Sequence, residues 1–127
     1  MNRFKQGTLN DKQLSNLIDA GHLSNIKKEN IKPASIDLVL SNEAYEIERI
    51  FLPQEGETLR QTIELASPQK VNIGSVLKHN HLYIVRLEEK ISLPNDVFGY
   101  ANPKSTTGRN DIHVRLLADG VPRYDSV

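Results

Sequence analysis

Cysteine and tryptophan are absent from this 127-residue chain, and its aromatic residues amount to three Phe and four Tyr. Without cysteine there are no disulfides, no thiol nucleophile and no thiolate-bound zinc. That removes the zinc nucleobase deaminases, whose metal needs a cysteine pair. An excess of charge is missing as well, since sixteen Lys and Arg balance sixteen Asp and Glu for a formal net charge of zero. A broad basic face for nucleic acid or an anionic membrane is therefore not expected, and any anion site must be local. Long apolar runs are lacking too. Nothing approaches the ~20 consecutive apolar residues that span a bilayer. Met1-Asn2-Arg3-Phe4-Lys5-Gln6-Gly7 offers no signal-peptide core, so a cytoplasmic protein is expected. What is present, 38% hydrophobic and 25% charged residues, describes a moderately polar globular protein. Its length fits one domain, or part of one, of roughly 100–150 residues.

The first readable element is a helix. Asn10 stands at a cap position with Gln13 three residues on, Leu14, Leu17 and Ile18 follow at helical spacing, and Gly21 supplies the stop. Beyond the polar residues 27–30, strand patterns dominate. Residues 34–40 alternate Ile36, Leu38 and Leu40 with Asp37 and Val39, and residues 45–51 read as a second strand. Residues 55–67 fit either a helical turn (Leu59, Ile63, Ala66) or a short strand (Ile63, Leu65). Residues 72–77 lead to a turn around Lys78-His79-Asn80. Residues 81–87 carry the strongest strand pattern, and 97–101 and 112–117 follow as short strands. One credible helix is too few for a parallel α/β sheet, so a mainly β barrel or sandwich with small helices is expected. No closing strand is readable after Gly120-Val121-Pro122, so either the last segment is exposed or the fold is incomplete and the chain is the front part of something longer.

Chemistry concentrates in Asn102-Pro103-Lys104-Ser105-Thr106-Thr107-Gly108-Arg109, which gathers two cations, three hydroxyls and a glycine after an apolar stretch. Arg109 can take two phosphate oxygens at once, and Lys104 adds a second charge. The hydroxyls of Ser105, Thr106 and Thr107 donate, and their amides can converge if a helical turn begins there. Composition leaves two readings open: an anion cradle, or a solvated surface turn capped by serine. A Walker loop is excluded because Pro103, without an N–H, stands where that loop needs glycine. His79 and His81 share a strand face, but no third ligand accompanies them, so they read as turn-flanking histidines and no metal site is assigned. His113 reads as a packed or edge residue rather than a base. Asp37 reads either as a hydrogen-bonded structural residue or as a nucleotide contact.

Two of these stretches resemble a known family. Pro33-Ala34-Ser35-Ile36-Asp37-Leu38 resembles the Pro-Ala-Ser-(Ile/Val/Leu)-Asp-(Leu/Val) signature of dCTP deaminases. Lys104-Ser105-Thr106-Thr107-Gly108-Arg109 resembles their (Arg/Lys)-Ser-Ser-x-(Ala/Gly)-Arg phosphate motif. The stretch from Ala44-Tyr45 to Phe51-Leu52-Pro53, and Tyr100-Ala101-Asn102-Pro103-Lys104-Ser105, are similar to the long, two-part bacterial form. The likeness runs from the helix near Leu9 to Val127. Val39 departs from the pattern, since many members carry arginine there.

The resemblance implies a dUTPase-like distorted β-barrel or jelly roll, of which residues 1–127 would be the N-terminal portion. It also implies trimers with nucleotide sites between subunits. The implied activity is zinc-free hydrolytic deamination of dCTP to dUTP and ammonia, supplying the precursor of dTTP, with Mg²⁺ accompanying the triphosphate. The implied partners are deoxynucleoside triphosphates, with dUTP or dTTP as product or inhibitor, and neither nucleic acid nor membrane. Carried onto matching positions, Lys104, Ser105 and Thr106 would bind phosphate. Ser105 and Arg109 would act at the attacking water, and Asp125, in Arg123-Tyr124-Asp125, would contact the sugar region. The carboxylate that takes the water proton lies, in the family, on a strand following the Asp125 region; Glu88 and Glu89 are not assigned that role. Two alternatives accompany this reading. A dUTP diphosphatase shares the order of Asp37, the Ser-Thr-Thr-Gly-Arg run and Gly120-Val121-Pro122-Arg123-Tyr124-Asp125, but Arg123 stands where its water-activating aspartate belongs. A non-catalytic nucleotide-binding or assembly domain would keep the cradle and lack the base.

Overall fold

Helix α1, Asp11–Asp19, begins where its capping pattern predicts: Asn10 Oδ1 accepts the Gln13 amide at 3.0 Å, and Gln13 Oε1 accepts the Asn10 amide at 2.9 Å. It ends in a Schellman motif. Gly21 takes the left-handed conformation at φ 81°, its amide donates to the Ile18 carbonyl, and the His22 amide donates to the Leu17 carbonyl. The chain that leaves this cap enters β1 (Leu23–Ser24) and then a 3₁₀ turn at Lys28–Asn30. The computed structural model describes residues 6–49, 53–117 and the backbone of 123–124.

The remaining elements are β2 (Leu40–Ile47), α2 (Leu59–Glu64), β3 (Gln69–Val71), β4 (Leu82–Leu87), β5 (Lys90–Ser92), α3 (Ser105–Arg109) and β6 (Arg123–Tyr124). They form two antiparallel three-stranded sheets, ordered β3-β2-β4 and β1-β5-β6. The mainly β architecture with one early helix is as expected. No helix among the described residues is long and apolar enough to cross a membrane.

β2 is the organising strand, flanked on both sides. Ala44 lies opposite Val71 on β3 and Val85 on β4 and is 0% exposed, a small side chain where two neighbours crowd it. Between Leu40 and Ala44 the register against β4 shifts. Among the described residues the buried apolar ones are Leu14, Leu23, Ala44, Ile47, Ala66 and Leu93. The exit of α1 is tied to β5, because the Ser92 amide donates to the His22 carbonyl at 2.8 Å and His22 Nδ1 meets the Ser92 carbonyl at 3.0 Å. The ambiguous stretch at 55–67 becomes a helix for the reason α1 does. Thr58 and Gln61 form a capping box, and the buried Thr62 hydroxyl donates back to the Thr58 carbonyl.

Several expected strands are different. Residues 34–39 are not a strand; the chain around Pro33 turns back, with Ile36 bridged to Ile31, and the ladder begins only at Leu40. The strand expected at Tyr45 is the second half of that same β2, and Ile50 and Phe51 lie outside the described residues. Residues 97–101 and 112–117 carry strand-like alternation but pair with nothing among the described residues, which leaves Phe98 70% and Tyr100 72% exposed. Conversely, β6 pairs with β5 in a stretch where no strand is readable, Ile91 facing Tyr124 and Ser92 facing Arg123.

Candidate functional site

The turn that replaces the expected first strand brings charged side chains together. The Lys32 amide donates to the Ser35 carbonyl at 2.8 Å, and the Asp37 amide donates to the Asn30 carbonyl at 2.9 Å. With Ile31 opposite Ile36, Lys32 and Asp37 become diagonal neighbours on the other face. Lys32 Nζ lies 3.9 Å from Asp37 Oδ2. The segment that follows is anchored on the β4–β5 turn. The Glu88 amide donates to the Val39 carbonyl at 2.9 Å, and the Val39 amide donates to both oxygens of Glu89, at 2.9 and 3.1 Å. Glu89 is 7% exposed. A carboxylate at such a position is costly without hydrogen bonds to its oxygens, and the Val39 amide supplies them.

Helix α3 meets this turn from the far end of the chain. Lys104, not serine, occupies its cap position, with extended backbone (φ −62°, ψ 151°) and no side-chain cap. Its side chain reaches Asp37, Nζ donating to Oδ2 at 2.8 Å. Two stretches separated by 67 positions in the sequence therefore meet in one hydrogen bond. This contact holds the Asp37 carboxyl below the usual range against its partial burial, and the charges of Lys104 and Lys32 add to the effect.

The Gly108 amide closes the first turn on the Lys104 carbonyl at 3.0 Å, while helix geometry leaves the amides of Ser105, Thr106 and Thr107 without an intrahelical acceptor. Ser105 and Thr106 are exposed, Thr107 is half-buried, and Arg109 is exposed in the last turn. A second Schellman pattern ends the helix, with Asp111 at φ 57° in the place usually taken by glycine. The arrangement thus brings two lysines to one partly buried carboxylate, at the start of a short helix that carries two accessible hydroxyls and an arginine, a set of groups with the chemistry to bind an anion. Asp125 lies outside the described residues.

The other titratable groups serve the sheet. Glu43 accepts from Arg60 on α2 at 2.9 Å, from Arg86 on β4 at 3.2 Å and from the Tyr45 hydroxyl at 3.1 Å. The Arg60 guanidinium foremost pulls its pKa down to about 2. His81 pairs with Glu46 through Nδ1, and Lys78 lies 3.7 Å from the same carboxylate. Among the described residues no group of three His, Asp or Glu could hold a metal ion. His113 is neither packed nor on a strand edge; it is 92% exposed, 3.6 Å from Asp111, because the strand expected around it does not form. A surface depression of about 540 Å³ between Asn25, Ser41, Glu43, Arg86 and Lys90 has no α3 residue in its lining, so it is the side-chain chemistry and not concavity that marks the candidate site. Lys32 and Glu89 are the contributors that sequence reasoning did not assign. Lys32 directly precedes the Pro33-Ala34-Ser35 run, a position that could have drawn notice; Glu89 carries no local signal.

Residues 5–127 match the family model of the 2'-deoxycytidine 5'-triphosphate deaminase (DCD) N-terminal domain. Among solved structures, the chain is similar to the crystal structure of 2'-deoxycytidine 5'-triphosphate deaminase from Agrobacterium tumefaciens, with a TM-score of 0.78 and 32% sequence identity. That likeness covers 95% of this chain and 38% of the other, so the chain spans little more than a third of its solved relative. No match is found among curated proteins. Matched over nearly its whole length, the chain belongs to the dCTP deaminase N-terminal-domain family.

Proposed function

We propose that the protein carrying this chain deaminates dCTP, with Lys104, Ser105 and Thr106 holding the triphosphate and Arg109 and Ser105 acting beside the reacting base. The observation that carries this reading is the Lys104–Asp37 contact, which joins the two stretches that resemble the family's signature and its phosphate motif. In the reaction, water adds at C4 of the cytosine ring and the C4–N4 bond breaks, so that dUTP and ammonia are the products. One water proton passes to N3 or to the departing amine, which calls for a positioned carboxylate. Glu89 does not suit that task, because its carboxylate is engaged by the Val39 amide. The base is assigned instead to sequence following the Asp125 region, and Asp125 itself to the sugar. The Ser105 hydroxyl would orient the water, and the Arg109 guanidinium would offer a planar pair of donors. Mg²⁺ enters as part of the nucleotide complex. Asp37, the carboxylate that accepts from Lys104, already faces Lys104 and Lys32. A trimer with sites between subunits belongs to the same reading.

The test is ammonia release from dCTP in the presence of Mg²⁺ by the intact protein, with and without a zinc chelator. One ammonia per dUTP is expected, unaffected by the chelator. Lys104→Ala and Arg109→Ala should each weaken nucleotide binding about tenfold or more, as expected for loss of a charge-assisted contact. Pyrophosphate release from dUTP without ammonia would replace the proposal with a diphosphatase. Triphosphate binding without turnover would replace it with a binding domain.

A further inference from the structure

Lys32 and Lys104 reach the same atom. Their ammonium groups lie 3.9 and 2.8 Å from Asp37 Oδ2, one coming from the turn at residues 31–36 and the other from the cap of α3. Neither cation is used up there. An ammonium has three donors; Lys104 gives one to Asp37, and Lys32 gives one to the Glu29 carbonyl at 3.0 Å. Two cations against one carboxylate leave a local surplus of positive charge in a chain whose net charge is zero. To an ammonium group a carboxylate oxygen and a phosphate oxygen are equivalent acceptors, but a triphosphate brings more oxygens and more charge.

We propose that Lys32 and Lys104 form a two-lysine clamp for one phosphate group of the nucleotide, and that Asp37 is its internal competitor, filling the clamp until the anion displaces it. The inference rests on the phosphate-binding reading of Lys104 and adds a further binding residue, Lys32, together with a threshold set by Asp37. The contact is built for exchange. The lysine side chains are 47% and 71% exposed, and ion pairs that face water are weak and screened by salt. A more highly charged anion can therefore take the place of the carboxylate without disturbing the core. Asp37 stays tethered meanwhile, because its amide is bonded to the Asn30 carbonyl.

The experiment is calorimetric binding of inorganic tripolyphosphate to the intact protein at several salt concentrations. Lys32→Ala and Lys104→Ala should each weaken binding about threefold to tenfold and flatten its salt dependence. Asp37→Asn should tighten binding by a similar factor, and that gain should vanish once both lysines are also alanine, since coupled residues do not act additively. Lys32 is exposed enough for its variant to fold normally, so the Lys32 arm stands even if Asp37→Asn is unstable. Loss of binding in Lys104→Ala with no change in Lys32→Ala would overturn the clamp and leave the phosphate role of Lys104 intact. Weaker binding in a folded Asp37→Asn would make the carboxylate a support, against the proposal. If wild type and Lys104→Ala bind tripolyphosphate alike, or not at all, both the clamp and the phosphate reading fall.

Discussion

The Val39 amide and the Glu89 carboxylate depend on each other. Removing the acceptor strands a part-buried donor, whereas changing its charge while keeping an oxygen does not. Glu89→Leu is therefore expected to lower stability by about 1 kcal/mol, the lower end of the cost of an unsatisfied buried group, because the Val39 amide is only partly buried. Glu89→Gln should cost less, and urea denaturation of the two variants measures the difference. The same pair shows which parts of a site a sequence discloses. Lys104, Ser105, Thr106 and Arg109 were readable because cations and hydroxyls crowd into six consecutive positions. Glu89 was not, because its partner stands 50 residues away and its own neighbours, Glu88 and Lys90, look like any polar turn. Lys32 is inconspicuous for a related reason: its approach to Asp37 comes from a bend that strand-like alternation at 34–40 conceals.

Helices α1 and α2 both announce themselves through capping boxes, a device complete within four residues, so α1 could be drawn from sequence to within a residue. Strands are different, because alternation states which faces exist and says nothing of a partner. Residues 97–101 have the pattern and no ladder among the described residues, while β6 has a ladder and almost no pattern. Where elements do meet, Glu43 links α2, β2 and β4 through Arg60 and Arg86. Its pKa of about 2 lies below its ordinary value of 4.5, so within that window the unfolded chain binds more protons than the folded one. Stability from this link is complete above the ordinary value and is lost as pH falls toward 2. Glu46, held low first by its hydrogen bond from His81, and Asp37, held low by Lys104, act in the same direction. Urea midpoints followed from pH 6 down to pH 2 should fall, and Glu43→Gln should fall less steeply over the same interval.

Taken as one body, the chain carries an uneven surface. Phe98 and Tyr100 precede α3, Ile112 and Val114 follow it, and all four are exposed. Apolar side chains gathered on both sides of one short helix make association the expected behaviour of the 127-residue polypeptide by itself. Light scattering should show species larger than a monomer at micromolar concentration, and Phe98→Ser with Tyr100→Ser should reduce them; a clean monomer in the unaltered chain would count against it. The register shift in β2 has a consequence of another kind. From Leu40 to Ala44 that strand advances four residues while β4 moves from Leu87 to Val85, so the excess is two residues rather than one. Because side chains alternate with a period of two, an even excess leaves inward residues inward. Loss of the pair Ser41-Asn42 would shorten the irregular stretch and keep Ala44 and Ile47, which lie on opposite faces of the strand, each on its present side. Loss of either one alone would turn the rest of the strand inside out. Natural variation in length at this point should therefore come in steps of two.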